Sequence, residues 1–293
     1  MSDVVLTHNQ YGKAENRVVR ITRDNPRHEI EDLNVTSQLR GDFAAAHLEG
    51  DNSHVVATDT QKNTIFAFAK DGVGSPEAFL LRLADHFTGD FDWVTGGRWA
   101  AEQYTWSRIN DHDHSFYRTN AETRTAVVVR DGDTSTVIAG FHGLTVLKST
   151  ESGFEGYPKD QYTTLKETND RILATDIATR WRYNTGDVDY NAAYTDIKAI
   201  ILDTFTQGYS AALQQTLYQM AEAVLAAHPE VDEIKFSCPN KHHFVVDLSP
   251  FGLENPNEVF YAADRPYGLI EATVQRADAG TADAAWVGIA GFC

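Results

Sequence analysis

LNVTSQLR, residues 33–40, alternates apolar and polar side chains with a period of two. Leu33, Val35 and Leu39 share one face and Asn34, Thr36, Gln38 and Arg40 the other, the mark of a strand with a single buried face. RVVRITR, residues 17–23, lies just upstream and reads as its antiparallel partner. Downstream, residues 63–70 read as a short helix. Ser75-Pro76-Glu77 then opens a longer one, with serine as N-cap and proline in the first turn. Its apolar residues Phe79, Leu80, Leu83 and Phe87 share a face. Long strands are expected over residues 103–109, 124–130 and 134–148.

The same order returns in the second half. Residues 178–183 read as a strand, and 190–205 and 210–228 as helices with apolar stripes. Residues 233–237 and 243–248 read as strands around a Pro-Asn turn, and 268–274 as a final strand. Each half therefore runs strand, strand, helix, helix, strand, strand. The five-residue echo T-x-K-x-T, at 60–64 and again at 164–168, fits a duplication. The expected architecture is α+β, with antiparallel sheets and helices segregated to one face. The domains expected are residues 1–145 and 146–293. Open sheet edges must be covered, so closure into a barrel by association is a physical expectation.

The chain has 293 residues, 42% of them hydrophobic and 23% charged, which suits a globular protein with substantial cores. No apolar run is long enough to span a bilayer. No signal-peptide pattern and no peroxisomal C-terminal tripeptide is seen, and the expected compartment is the cytoplasm of a bacterium. The two cysteines, Cys238 and Cys293, have no metal-ligand spacing. A net charge of −17 argues against nucleic acid or anionic membranes as partners. It also means that any anionic substrate needs locally concentrated positive charge.

Several residues are candidates for chemistry. Lys13, in Tyr11-Gly12-Lys13 before the first strand, is a solvated lysine unless a partner takes its proton. Thr58 and Asp59 stand at a helix start. They read as a cap, or as the end whose free N–H groups bind an anion or carbonyl. Phe154, in a glycine-flanked loop, is either a core anchor or a platform for a planar ring. Arg171 either pairs with the adjacent Asp170 or forms a two-pronged clamp on ring heteroatoms. Gln214, near the start of a helix, has the donors and acceptor to read an imide-like edge. Asn240 and His242 lie at the Pro-Asn turn, where a histidine can relay protons. Asp111-His112-Asp113-His114 places two histidines on one side of a strand but lacks a third ligand at diagnostic spacing, so no metal site is expected. Glycine-rich phosphate loops are absent.

Taken together, these positions resemble a known family. YGK at 11–13, VVATDTQKNT at 55–64, GLTVLKST at 143–150, YTTLKETNDRILATD at 162–176 and SCPNKHHF at 237–244 are similar to the corresponding stretches of urate oxidases (uricases), and the likeness runs over nearly the whole chain. The resemblance implies two tandem tunnelling-fold (T-fold) domains and a homotetramer with active sites at subunit interfaces. It also implies oxidation of urate by O2 and water, without a cofactor, to 5-hydroxyisourate and hydrogen peroxide. Lys13, Thr58 and His242 would form the proton relay, and Thr58 and Asp59 would also meet the substrate's five-membered-ring side. Phe154 would stack on the purine. Arg171 and Gln214 would grip its pyrimidinedione edge with help from the Leu213 backbone, and Asn240 would hold the water or dioxygen. Many relatives carry valine at the place of Leu213, a change that a backbone contact tolerates. The competing readings are a T-fold enzyme acting on a purine- or pterin-like ring by hydrolysis or aldol chemistry, and a non-catalytic urate binder.

Overall fold

The computed structural model describes residues 4–119 and 122–293. In chain order its elements are β1 (Tyr11–Thr22), β2 (Glu29–Gly41), α1 (Ala44–Leu48), α2 (Thr58–Lys70), α3 (Pro76–Asp90), β3 (Val94–Gln103), β4 (Trp106–Arg108), β5 (Phe116–Arg118), β6 (Thr123–Asp131), β7 (Thr134–Lys148), β8 (Leu173–Tyr183), α4 (Tyr190–Thr206), α5 (Leu213–Ala227), β9 (Val231–Val245), β10 (Phe260–Gln275) and α6 (Asp283–Trp286). The chain divides into two compact units. The first runs up to Gly140 and adds Arg182–Asn191 and Ala282–Trp286. The second comprises Phe141–Trp181, Ala192–Thr281 and Val287–Cys293.

In the first unit the strand order is β1-β2-β3-β6-β7, with β1 at the edge. The alternation of residues 33–40 is realised: Leu33, Val35, Ser37 and Leu39 are all fully buried. β2 pairs antiparallel with β1 on one side and β3 on the other, Leu33 opposite Val18 and Gln103. α3 packs on β3 and β6, and α2 on β1. The Ser75 hydroxyl accepts the Ala78 N–H at 3.1 Å, so the expected N-cap is formed. The apolar face of α3 meets the sheet through Phe87 and Trp99, whose rings lie 6.5 Å apart and nearly parallel. Burying each such large side chain contributes roughly 1.5–3 kcal/mol.

In the second unit the order is β7-β8-β9-β10, with β10 at the edge. α5 packs on β9 and β10 through Leu217, Met220 and Val224, which are fully buried. An order of two strands, two main helices and two strands occurs twice once β7, which the sequence reading placed in the first half, is counted with the second. The second run starts with β7 and ends with β10.

Five sequence readings are corrected. Lys13 lies inside β1, because pairing with β2 begins at Tyr11. α2 begins at Thr58 and not at residue 63; the hydrogen bond from the Gln61 N–H to the Ala57 carbonyl, 3.1 Å, already closes its first turn. The strand expected at 103–109 is only Trp106–Arg108, and the sheet uses Val94–Gln103. Pro239 and Asn240 do not form a turn: β9 runs unbroken through them because β10 pairs along it, Pro239 opposite Leu269 and Asn240 opposite Gly268. Finally, the T-x-K-x-T echo joins unlike places, since Thr60 to Thr64 are helical whereas Thr164 to Thr168 are irregular.

Candidate active site

In the first unit, Lys13, Thr58 and Asp59 are brought together by the contact between β1 and α2. Gly12 lets β1 lie close against β2: a Cβ there would stand 1.8 Å from the Ser37 carbonyl oxygen. Past Lys13 the strand bulges, and the Asn16 amide closes the bulge by donating to the Lys13 and Val35 carbonyls at 3.0 and 2.9 Å. The Tyr11 hydroxyl donates to the Val56 carbonyl at 3.1 Å, tying β1 to the residues that lead into α2. Buried Gln61 accepts from the Ser37 hydroxyl at 3.0 Å and fastens the other side.

Thr58 is the first helical residue and Ala57 the N-cap, without a side-chain cap. The capping reading of Thr58 and Asp59 is therefore corrected, and the N–H groups of the first turn point out of the helix unpaired by it. Asp59 is turned along its own helix, where it accepts from Lys62 and, at 2.9 Å, from Asn63. Its carboxyl is held below the usual range, first by the Lys62 hydrogen bond and to a smaller extent by the charge of Lys13. Among the described residues, neither the Lys13 ammonium nor the Thr58 hydroxyl is engaged by another side chain. Both are half-buried.

In the second unit, Phe154 and Arg171 form one bed. The Phe154 N–H donates to the Thr168 carbonyl at 2.7 Å, and the Arg171 N–H to the Ser152 carbonyl at 2.8 Å. The Arg171 guanidinium lies 5.3 Å from the Phe154 ring centroid. Its Nε donates to the hydroxyl of fully buried Ser152 at 3.3 Å. Asp170 instead accepts from Thr150 at 2.8 Å, so the local Asp170–Arg171 pair does not form. Arg171 is half-buried, and desolvation lowers its pKa. A desolvated guanidinium with no carboxylate partner among the described residues has charge-assisted donors to offer an anion.

Leu213 and Gln214 open α5, Leu213 buried and Gln214 exposed. Asn240 and His242 sit two apart on β9, opposite Gly268 and Ala263 of β10, with a shift of register between the two pairs. Burial, then the charges of Arg171 and His243, push the His242 imidazole below its ordinary 6.5. A neutral imidazole can take a proton on one nitrogen and give one from the other. We expect the ring resonances of His242, in histidine-labelled protein, to titrate below pH 6.5. They should move upward in His243→Gln, which removes a positive neighbour. A midpoint at or above the ordinary value would refute this electrostatic reading.

His112 and His114 do not lie on a strand. They occupy the loop between β4 and β5, with ring centroids 4.5 Å apart, and Arg27 engages Asp111 and Asp113. No cluster of three or more metal-ligating side chains occurs among the described residues. Sequence reasoning missed Ser152, Ser210 and Thr216. The burial of Ser152 and Ser210 follows from a pairing between irregular segments, and that of Thr216 from its place on the buried face of α5.

A family model described as Uricase matches residues 9–129 and 137–271. The uricase of Arthrobacter globiformis is 64% identical over 290 residues, covering 99% of this chain and 96% of the relative. The uricase of Dictyostelium discoideum is 40% identical over 280 residues, covering 92% and 97%. A crystal structure of the Arthrobacter globiformis uricase superposes with a TM-score of 0.93, at 64% identity, over 96% of this chain and 98% of that one.

Proposed function

We infer the chemistry of these residues from one premise: the chain belongs to the uricase family. It is a urate oxidase, an oxidoreductase acting on urate and O2. The reaction we assign is urate plus O2 plus water giving 5-hydroxyisourate and hydrogen peroxide. The observation that carries the assignment of residues is Arg171: a half-buried guanidinium over the ring of Phe154, with no carboxylate partner among the described residues. This combination suits a planar anion. In a chain of net charge −17 it supplies the local positive charge that such a substrate needs.

Phe154 stacks on the purine, and Arg171 and Gln214 grip its pyrimidinedione edge with the Leu213 backbone. Thr58 and Asp59 meet the five-membered-ring side through the α2 N-terminus, and Asn240 holds the water or dioxygen. Lys13, Thr58 and His242 carry the protons. Loss of a second proton makes urate an electron-rich dianion that passes electrons to O2 itself, so the reaction takes no cofactor. The protein positions, moves protons and excludes stray water.

The T-fold domains are assigned to residues 1–145 and 146–293, and the assembly is a homotetramer. Its support is the sheet edges: β1 and β10 each have one strand neighbour, and Val19, Tyr261 and Leu269 on them are more than half exposed. No helix is long and apolar enough to cross a membrane among the described residues. Both cysteines are free, which fits a reducing cytoplasm.

An oxygen electrode tests the assignment. Urate should consume O2 and yield peroxide, and exhaustive chelation should leave the rate unchanged. Loss of activity on chelation, restored by one metal, would exclude the cofactor-free reaction. Urate binding without O2 uptake would favour a binding protein. Arg171→Lys keeps the charge but loses the planar fork. KM should rise about 10- to 100-fold, the loss of roughly 1.5–3 kcal/mol for a charge-assisted hydrogen bond. An unchanged KM would show that Arg171 does not touch urate.

A further inference from the structure

The start of α5 is held in an unusual way. Its N-cap, Ala212, has no side chain able to cap. Beneath its first turn two hydroxyls that are each only 4% exposed, Ser210 and Thr216, lie 2.6 Å apart. Both also reach the Ala212 carbonyl, at 3.3 Å from Ser210 and 3.4 Å from Thr216. Two hydroxyls carry two protons. One closes the contact between them and the other goes to Ala212, so the pair is satisfied by the carbonyl whose residue directly precedes Leu213 and Gln214.

Ser210 is also tied by its backbone to the bed of Phe154 and Arg171. Its N–H donates to the Glu151 carbonyl, and its carbonyl accepts the Gly153 N–H, both at 2.9 Å. The same segment contributes Ser152, which accepts both the backbone N–H and the Nε of Arg171. There is no slack between these segments. A Cβ on Gly153 would stand 1.9 Å from the Tyr209 hydroxyl and 2.9 Å from the Thr168 carbonyl oxygen.

We propose that Ser210 and Thr216 are positioning residues for urate, whose paired hydroxyls fix the first turn of α5 relative to the Arg171 bed so that the Leu213 N–H and the Gln214 amide meet the ring edge in register with the guanidinium. This rests on the reading of Leu213 and Gln214 as substrate contacts. A turn uncapped by its own N-cap residue has three outward N–H groups and freedom to tilt. The Gln215 side chain limits that freedom by accepting the Ala211 N–H at 3.2 Å, and the buried pair adds the tie to Ser210 without exposing a polar group of its own.

Thr216→Val keeps the shape and removes the hydroxyl, whereas Thr216→Ser keeps the hydroxyl. In Thr216→Val the KM for urate should rise by about 5- to 10-fold, the scale of one misaligned hydrogen bond, while kcat stays within about twofold. The affinity for xanthine, a purinedione used as a binding probe in calorimetry, should fall in parallel, and Thr216→Ser should restore both. If Thr216→Val does not fold, Ser210→Ala, which deletes one oxygen, carries the same expectation. An unchanged KM in the folded variant overturns the proposal. So does a loss of active enzyme in which the surviving fraction keeps its KM, because that is a purely structural role. Gln214→Ala separates the two levels. If it raises KM while Thr216→Val does not, the positioning role fails alone. If Gln214→Ala leaves KM unchanged, the substrate-contact reading fails and takes the proposal with it.

Discussion

Lys13→Met should lower turnover by about 10²- to 10⁴-fold, the usual worth of positioned acid–base help, with far less change in urate binding. Methionine matches the length of the lysine stem and removes the ammonium. The bulge that places residue 13 does not depend on that ammonium, since Asn16 closes it by donating to the Lys13 and Val35 carbonyls. The close strand approach depends on Gly12. The fold around the site should therefore persist, and a loss of rate can be assigned to the missing group. Thr58→Ala should behave alike. α2 starts from Ala57 without a side-chain cap, so helix geometry does not need the Thr58 hydroxyl. A proton relay does, because a hydroxyl can pass on a proton and a methyl cannot. The Phe154 and Arg171 bed is untouched in both variants, so xanthine should bind both about as well as it binds the parent. Oxygen uptake at saturating urate gives kcat. Near-normal kcat in Lys13→Met would remove lysine from the base, and near-normal kcat in Thr58→Ala would remove the hydroxyl from the relay.

The parts of the fold legible in the sequence are those where local pattern and tertiary demand agree. Residues 33–40 alternate because one face is buried along the whole stretch. Ser75-Pro76 starts a helix because cap chemistry is local. The failures have physical causes. VTGGRWAAEQ, which is β3, carries two adjacent glycines and looks like a turn. In the sheet, a Cβ at Gly96 would stand 2.3 Å from the Arg130 carbonyl oxygen, and one at Gly97 2.4 Å from that of Gln38. The glycines are there for close packing between β2 and β6, a reason that no local pattern contains. Likewise, Pro239-Asn240 is turn chemistry that pairing with β10 overrides.

The site divides in the same way. Lys13, Thr58, Arg171 and His242 each have an ordinary alternative when read singly, and it was the family resemblance of their surrounding stretches that singled them out. The structure adds what spacing could not: an Arg171 without its expected Asp170 partner, and a His242 imidazole depressed by burial and by that arginine. Ser152 and Ser210 were invisible because their roles arise only where irregular segments meet, and Thr216 because a threonine on the buried face of α5 gives no sign of the hydroxyl it meets.

Two inactive proteins should regain activity when assembled together. In the proposed tetramer each active site draws Lys13 and Thr58 from one chain and Phe154, Arg171 and Gln214 from its neighbour. The physical motive is that open sheet edges at β1 and β10 favour association, and symmetric association repeats the same interface. Thr58→Ala and Arg171→Ala homotetramers carry one fault in every site, so each should be nearly silent. Mixed by joint unfolding and refolding, some interfaces receive an intact Thr58 from one chain and an intact Arg171 from the other. Those sites are complete, while their counterparts carry both faults. Activity should therefore rise from near zero to a fraction of the parent level, and hybrids isolated through two different affinity tags should hold it. The recovered sites should show the parental KM for urate, since each is chemically whole. If tag-verified hybrids remain as silent as the two homotetramers, Thr58 and Arg171 serve a site within one chain, and the shared-site assembly is wrong.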